Sequence, residues 1–126
     1  ERLIVNGVVI ENSGQLAKIL IHNNAALLRE KDIITEEQAS TPARRIYFAI
    51  QCEYLFPGKD DLFLPIIYRF LTEFGEAAPS TVNLVQEIRE FVEGGEHYRA
   101  LKSAKQLIVR EQEILNDASE GISKNP

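Results

Sequence analysis

The sequence predicts an α+β fold, in which a small antiparallel N-terminal β-sheet, a hairpin plus a third strand, precedes a bundle of about four α-helices. The first observation is an Asn-Gly pair between two β-branched runs, which is typical of a β-hairpin. The second is a change of pattern at Thr35, after which apolar residues recur every three or four positions, as in amphipathic helices. We therefore expect a β-rich part, residues 1–34, and a helical part, residues 35–116, in one compact domain. The polar tail, residues 117–126, is expected to be disordered.

The predicted sheet begins around the pair Asn6-Gly7, which fits a type I′ turn because both residues accept positive φ angles. A third strand is predicted over residues 15–22, where apolar residues partly alternate with polar ones. Residues 26–34 are expected to form an extended or irregular edge. The open edge of such a sheet is compatible with a homo-oligomer.

The helical part opens with two start signals. Thr35 and Gln38 match a capping box and predict one short helical turn. Thr41 and Pro42 then fit an N-cap and a first helical residue, because proline at that position loses no helical hydrogen bond. The sequence therefore predicts a helix over residues 42–54.

Three further helices are predicted from their apolar stripes and glycine stops. The most apolar covers residues 62–74 and is expected to end at Gly75. The next covers residues 79–93 and ends at Gly94-Gly95, and the last covers residues 96–116. The apolar helix over 62–74 is a second reason to consider a homo-oligomer.

Composition excludes several classes of protein. The 126 residues, 44% hydrophobic and 26% charged, have the ordinary mix of a globular domain. No apolar run approaches the ~20 residues of a membrane helix, so no membrane contact is expected. The single cysteine, Cys52, excludes an internal disulfide and a multi-cysteine zinc site and favours a cytoplasmic protein. The chain has no Met and starts in strand-like sequence, so native residues are expected upstream of Glu1.

The sequence contains no pattern typical of catalysis. His22 and His97 lie far apart, and neither belongs to a metal-binding motif. No glycine-rich phosphate-binding motif occurs in the sequence. Cys52 has apolar neighbours inside a predicted helix, which favours a small buried residue over a nucleophile. We therefore expect no enzyme activity, no cofactor and no metal site.

The paired arginines Arg44 and Arg45 are the first candidate anion site, although the formal net charge is −5. They lie in the first turn of a predicted helix, where cations oppose the helix macrodipole unless an anion is bound. Tyr47 and Phe48 follow after Ile46 and offer aromatic rings for base stacking. The alternative is that both arginines pair with nearby carboxylates, namely Asp32, Glu36 or Glu37.

The last predicted helix is the second candidate, because it has an apolar side and a basic side. At 100° per residue, its basic residues fall within about 140° of one side; they are Arg99, Lys102, Lys105 and Arg110. Solvation is the usual reason for a charged helix face. On an acidic chain, this face is nevertheless the best available anion surface.

The segment from Thr41 to Gln51 resembles the FlbT family of flagellar-biosynthesis repressors. The family pattern, Thr-Pro-x-Arg-x-Leu/Ile-Tyr-Phe-x-x-Gln, is matched at each fixed position. Residues 1–10 are similar to the family's Gly-Glu-Arg-x-x-x-Asn-Gly opening, and residues 27–33 and 96–102 resemble two further family segments. The resemblance covers residues 1 to about 115, with departures over residues 51–60.

The resemblance implies a post-transcriptional repressor that binds the 5′ untranslated region of flagellin mRNA and promotes its decay. The alternative is a protein–protein adaptor, acting with another flagellar regulatory protein and without direct RNA contact. The candidate RNA contacts are chosen by their chemistry. They are Arg2, Lys31, Arg44, Arg45, Tyr47, Phe48, Gln51, Arg99, Lys102 and Lys105.

Overall fold

The computed structural model describes residues 2–5, 8–11, 27–56 and 62–123, with side chains described over 28–56 and 62–118. Its three short strands pair antiparallel in the order β2-β1-β3. They are β1 Arg2–Val5, β2 Val8–Glu11 and β3 Leu27–Arg29. In this register Leu3 lies opposite both Ile10 and Arg29. The predicted type I′ turn and the predicted strand over 15–22 lie outside the described residues.

Four helices account for most of the described chain. A 3-10 turn, Glu30–Asp32, follows β3, and a second 3-10 turn, Pro79–Thr81, comes before the third helix. The helices are α1 Pro42–Leu55, α2 Leu64–Ala77, α3 Val82–Glu93 and α4 His97–Ser123.

The predicted fold class, α+β, is wrong: the fold is α-helical. Apart from Leu28, every buried apolar residue for which burial is described lies on one of the four helices. Each strand has only three or four residues, and the strands do not form the sheet layer that an α+β fold requires. An Asn-Gly pair indicates local strand pairing, whereas the fold class depends on which elements share the core, and that is decided by tertiary packing.

Helix α4 forms the centre of the bundle and packs against both α1 and α3. It runs antiparallel to α1, because Glu111 contacts the first turn of α1 and Tyr98 contacts Tyr54 near its end. Helix α2 packs between α1 and α3. The fully buried side chains Ile46, Ile50, Ile67, Leu71, Ile88 and Leu107 join all four helices in one core.

Both predicted helix start signals are confirmed. The Thr35 N–H donates to Gln38 Oε1 over 2.9 Å, and the Gln38 N–H donates to Thr35 Oγ1 over 3.2 Å, as a capping box requires. Thr41 is the N-cap of α1, and its Oγ1 accepts from the Arg44 N–H over 3.3 Å. These contacts involve residues three apart in sequence, which is why local pattern alone predicted them.

Two predicted helix ends need correction. Helix α2 continues through Gly75 to Ala77, since an internal glycine costs a helix only about 1 kcal/mol relative to alanine. Helix α4 continues to Ser123, so the expected disorder from Asp117 does not hold for residues 117–123. Extending a formed helix fixes only one residue per added hydrogen bond, which allows it to pass its last buried contact.

Candidate functional site

Segment 41–51, which we call the α1 motif, places two of its polar residues, Tyr47 and Gln51, in the protein interior. Tyr47 is 2% exposed, and its hydroxyl donates to the Asp32 carbonyl. Gln51 is 4% exposed and bonds Ile34 twice, donating to its carbonyl and accepting from its N–H, both over 2.9 Å. Burial, with a smaller effect of the nearby Asp32 charge, raises the pKa of Tyr47 above its usual value. These two side chains fasten segment 32–34 to α1, and neither ring nor amide is presented to solvent.

The remaining motif residues reach the surface on two sides of α1. Arg44 is half-buried and lies one turn before Tyr47 on the same stripe, whereas Arg45 is exposed on the next face with the half-buried Phe48. Among the described residues, neither arginine has a carboxylate oxygen within 4.0 Å. Asp32, one of the expected partners, instead contacts Lys105. The alternative of local ion pairing therefore has no support in the described part of the chain.

A double substitution, Arg44→Gln with Arg45→Gln, is expected to change the free energy of unfolding by less than about 0.5 kcal/mol, because no described ion pair is lost. Thermal melting measures the change. A loss above about 1 kcal/mol would show that the arginines do form stabilising ion pairs in solution.

One basic residue of α4, Lys105, lies next to the 3-10 turn that follows β3. The Lys105 ammonium contacts the carboxylate of Asp32, the residue that directly follows Lys31 in that turn. Lys102, one turn before Lys105, lies over the Tyr98 ring at 5.1 Å from its centroid. We name Lys31, Arg44, Lys102 and Lys105 the basic strip. Its three segments are linked through Asp32, whose carbonyl accepts from Tyr47 of α1 and whose carboxylate contacts Lys105 of α4.

Two other predicted residues lie around this strip. Arg99 is exposed on α4 and pairs with Glu96 at 3.3 Å, so part of its charge is already compensated. Arg2 lies on β1, the strand that contacts the Glu30–Asp32 turn carrying Lys31. The backbone position of Arg2 therefore lies near the turn that carries Lys31, and no contact of its side chain is described.

Sequence reasoning missed two residues at this site. Tyr98 is 45% exposed beside Lys102, and its ring centroid lies 5.9 Å from that of Tyr54. Glu111 is only 8% exposed, and its Oε2 accepts from the Ala43 N–H in the first turn of α1 over 2.9 Å. The signal for Glu111 was present in the sequence, since it falls on the apolar stripe of α4 between Leu107 and Ile114.

Other kinds of site find little support in the described residues. In that part of the chain, no group of three His, Cys, Asp or Glu side chains could hold a metal ion. None of the helices described is both long and apolar enough to cross a membrane. Cys52 is half-buried, and burial, followed by the Glu36 charge, raises the pKa of its thiol. A raised thiol pKa makes Cys52 less reactive than an ordinary exposed cysteine.

Comparison with known proteins identifies relatives over nearly the whole chain. A family model described as "Flagellar protein FlbT" matches residues 1–115. The "Probable flagellum biosynthesis repressor protein FlbT" of Rhodopseudomonas palustris (strain TIE-1) is 39% identical over 119 residues, which cover 92% of this chain and 91% of the relative. The "Flagellum biosynthesis repressor protein FlbT" of Caulobacter vibrioides (strain ATCC 19089 / CIP 103742 / CB 15) is 34% identical over 125 residues, 98% of this chain and 89% of the relative. No solved structure matches the chain.

Proposed function

Because the chain belongs to the FlbT family, we propose that it represses flagellum biosynthesis by binding the 5′ untranslated region of flagellin mRNA and promoting decay of that mRNA. The names of the relatives in Rhodopseudomonas palustris and Caulobacter vibrioides support the repressor role. The single observation that supports direct RNA contact is the basic strip, with Tyr98 beside it. The experiment below tests that contact.

The strip has the chemistry that single-stranded RNA requires. Phosphates are bound by lysine and arginine side chains, and unstacked bases pack on exposed aromatic rings. Lys102 and Tyr98 supply both groups within one helical turn, at 5.1 Å from ammonium to ring centroid. On a chain of net charge −5, such a local grouping is needed, because the overall charge repels phosphate.

Asp32 has a defined part in this arrangement. Its carboxylate contacts Lys105, and its own side chain is 17% exposed while that of Lys105 is 52% exposed. The lysine therefore keeps much of its surface free for a second anion. The Asp32 contact orients the Lys105 ammonium but leaves it accessible to solvent. An RNA phosphate that binds Lys105 competes with this one carboxylate only.

The test is RNA binding by a triple variant in which Lys31, Lys102 and Lys105 are each replaced by Gln. Wild-type protein should shift a flagellin leader RNA, and its affinity should fall as salt rises because binding releases counterions. If each lysine holds one phosphate, the salt slope of the triple variant should be smaller by about 2, at about 0.7 per contact on single strands. The free energy of unfolding should fall by no more than about 1 kcal/mol, since the half-exposed Lys105 makes the one described ion pair that the triple variant loses.

The matched control is Arg69→Gln, which removes one positive charge from α2, where the exposed Arg69 faces Glu73 at 3.9 Å. It should leave RNA affinity within about twofold of wild type if the strip, and not total charge, binds RNA. A triple variant with wild-type affinity and salt slope would remove the strip from the site. Absence of any shift by wild-type protein would contradict direct RNA contact and favour the adaptor alternative.

A further inference from the structure

A groove runs between α1 and α2, on a different face of α1 from the basic strip. It consists of a cleft of about 380 Å³ and a second of about 240 Å³, and both are lined by Arg45 and Phe70. The larger cleft is walled by Phe48, Phe63 and Ile66, and the smaller ends at Ala77. We name these residues the α1–α2 groove.

The dimensions of this groove suit a helix. From Phe63 to Ala77 the groove follows α2 for 14 residues, or about 21 Å at the helical rise per residue. Amphipathic helices bind such grooves through apolar anchors at i, i+4 and i+7, which span about 11 Å. The half-buried rings of Phe48 and Phe70 offer the apolar contacts for those anchors.

The charges along the groove restrict what can bind. Arg45 lies where the two clefts meet and, among the described residues, has no carboxylate within 4.0 Å. Glu73, in the smaller cleft, already faces Arg69 at 3.9 Å, whereas Glu36 lines the larger cleft. A complementary helix therefore carries a carboxylate at its centre and a basic residue towards the Glu36 end.

We propose that the α1–α2 groove binds an amphipathic helix of a partner protein, with a central Asp or Glu that pairs with Arg45. This interaction is separate from the proposed RNA contact, and neither requires the other. The partner is defined by its chemistry: an apolar helix face interrupted by one acidic residue, with a basic residue one or two turns away.

A selection from random displayed peptides of roughly 16 residues, long enough for four helical turns, tests this proposal with the full chain as target. Selected peptides should share apolar residues at helical spacing around an Asp or Glu. A synthetic copy of the tightest peptide should become helical on binding, which circular dichroism measures. A selection that yields no shared pattern, or patterns without the acidic residue, would overturn the proposal.

Arg45→Gln then tests the central ion pair with that synthetic peptide. Affinity should fall about tenfold or more, because a hydrogen bond to a charged group is lost from a partly enclosed site. Arg45 is exposed, so the variant should fold as wild type does. Arg110→Gln is the matched control and should bind the peptide as wild type does. Equal binding by Arg45→Gln and wild type would overturn the ion pair and with it the proposed partner chemistry.

Cys52 locates the bound peptide, because it lines the larger cleft and is the only cysteine of the chain. Saturating peptide should slow alkylation of Cys52 by iodoacetamide several-fold at mildly alkaline pH. The flagellin leader RNA should leave the alkylation rate unchanged. Unprotected Cys52 with bound peptide would place the helix elsewhere, and protection by the RNA would assign the groove to RNA instead; either result contradicts the proposal.

Discussion

Replacing Tyr47 by Ala is expected to lower the free energy of unfolding by about 3–5 kcal/mol, as for other buried aromatic residues. Tyr47 is 2% exposed in the core, and its hydroxyl satisfies the Asp32 carbonyl. The substitution leaves a cavity between α1 and segment 32–34 and removes that hydrogen bond. Since domains are stable by only about 5–15 kcal/mol, a large unfolded fraction is expected. Urea denaturation followed by circular dichroism measures the change.

Tyr47→Phe is the control that separates ring from hydroxyl. This variant should lower the free energy of unfolding by about 1 kcal/mol, because the ring still fills the core and only one hydrogen bond is lost. Burial raises the pKa of Tyr47, so the folded state opposes its ionisation and stability should decrease as pH rises above about 10. Tyr47→Phe should reduce that alkaline loss. Wild-type stability of Tyr47→Ala would contradict the structural role and restore Tyr47 as a residue exposed for RNA stacking.

The α1 motif shows what local sequence patterns can and cannot predict. Its start, with Thr41 as N-cap and Pro42 in the first turn, depends on neighbouring residues and was predicted correctly. The buried hydrogen-bonding role of Gln51 was not predicted, because its partner Ile34 lies 17 residues earlier in the chain. A polar side chain on an apolar stripe is buried only when a distant segment satisfies it, and no local pattern reveals that segment.

The predicted fold class was wrong for a related physical reason. The antiparallel pairing of β1 with β2 agrees with the hairpin signal, yet the apolar core lies among four helices. A short hairpin forms from its own turn and neighbouring residues, whereas the core depends on how long amphipathic helices pack. The apolar stripes of those helices are present in the sequence, and they form the core that the structure shows.

The basic strip was predicted only in pieces. Lys105 and Asp32 are 73 residues apart, and their contact joins α4 to the turn that carries Lys31. The sequence identified each lysine as a candidate but could not group them, because the grouping depends on the antiparallel packing of α1 on α4. Tyr98 and Glu111 were missed because their roles also depend on that packing.

Glu111→Ala should cost about 2–3 kcal/mol of unfolding free energy, the second largest effect expected here. Glu111 is 8% exposed, and its carboxylate accepts from the Ala43 N–H over 2.9 Å. That N–H lies in the first turn of α1, where helical N–H groups have no partner within the helix and where negative charge complements the macrodipole. Removing the side chain leaves a buried donor unpaired and separates the start of α1 from α4.

Glu113→Ala provides the matched control, because Glu113 is exposed and its one described ion pair, with Arg110, is a surface pair. It should change stability by no more than about 0.5 kcal/mol. Glu111→Gln should fall between the two, since its amide oxygen still accepts the hydrogen bond while the charge at the helix start is lost. Equal stabilities of Glu111→Ala and Glu113→Ala would show that Glu111 does not cap α1. We expect the free energy of unfolding to fall most in Glu111→Ala, less in Glu111→Gln and hardly at all in Glu113→Ala. That order would show that a buried carboxylate of α4 fixes the start of α1, from which Arg44 and Arg45 reach the surface.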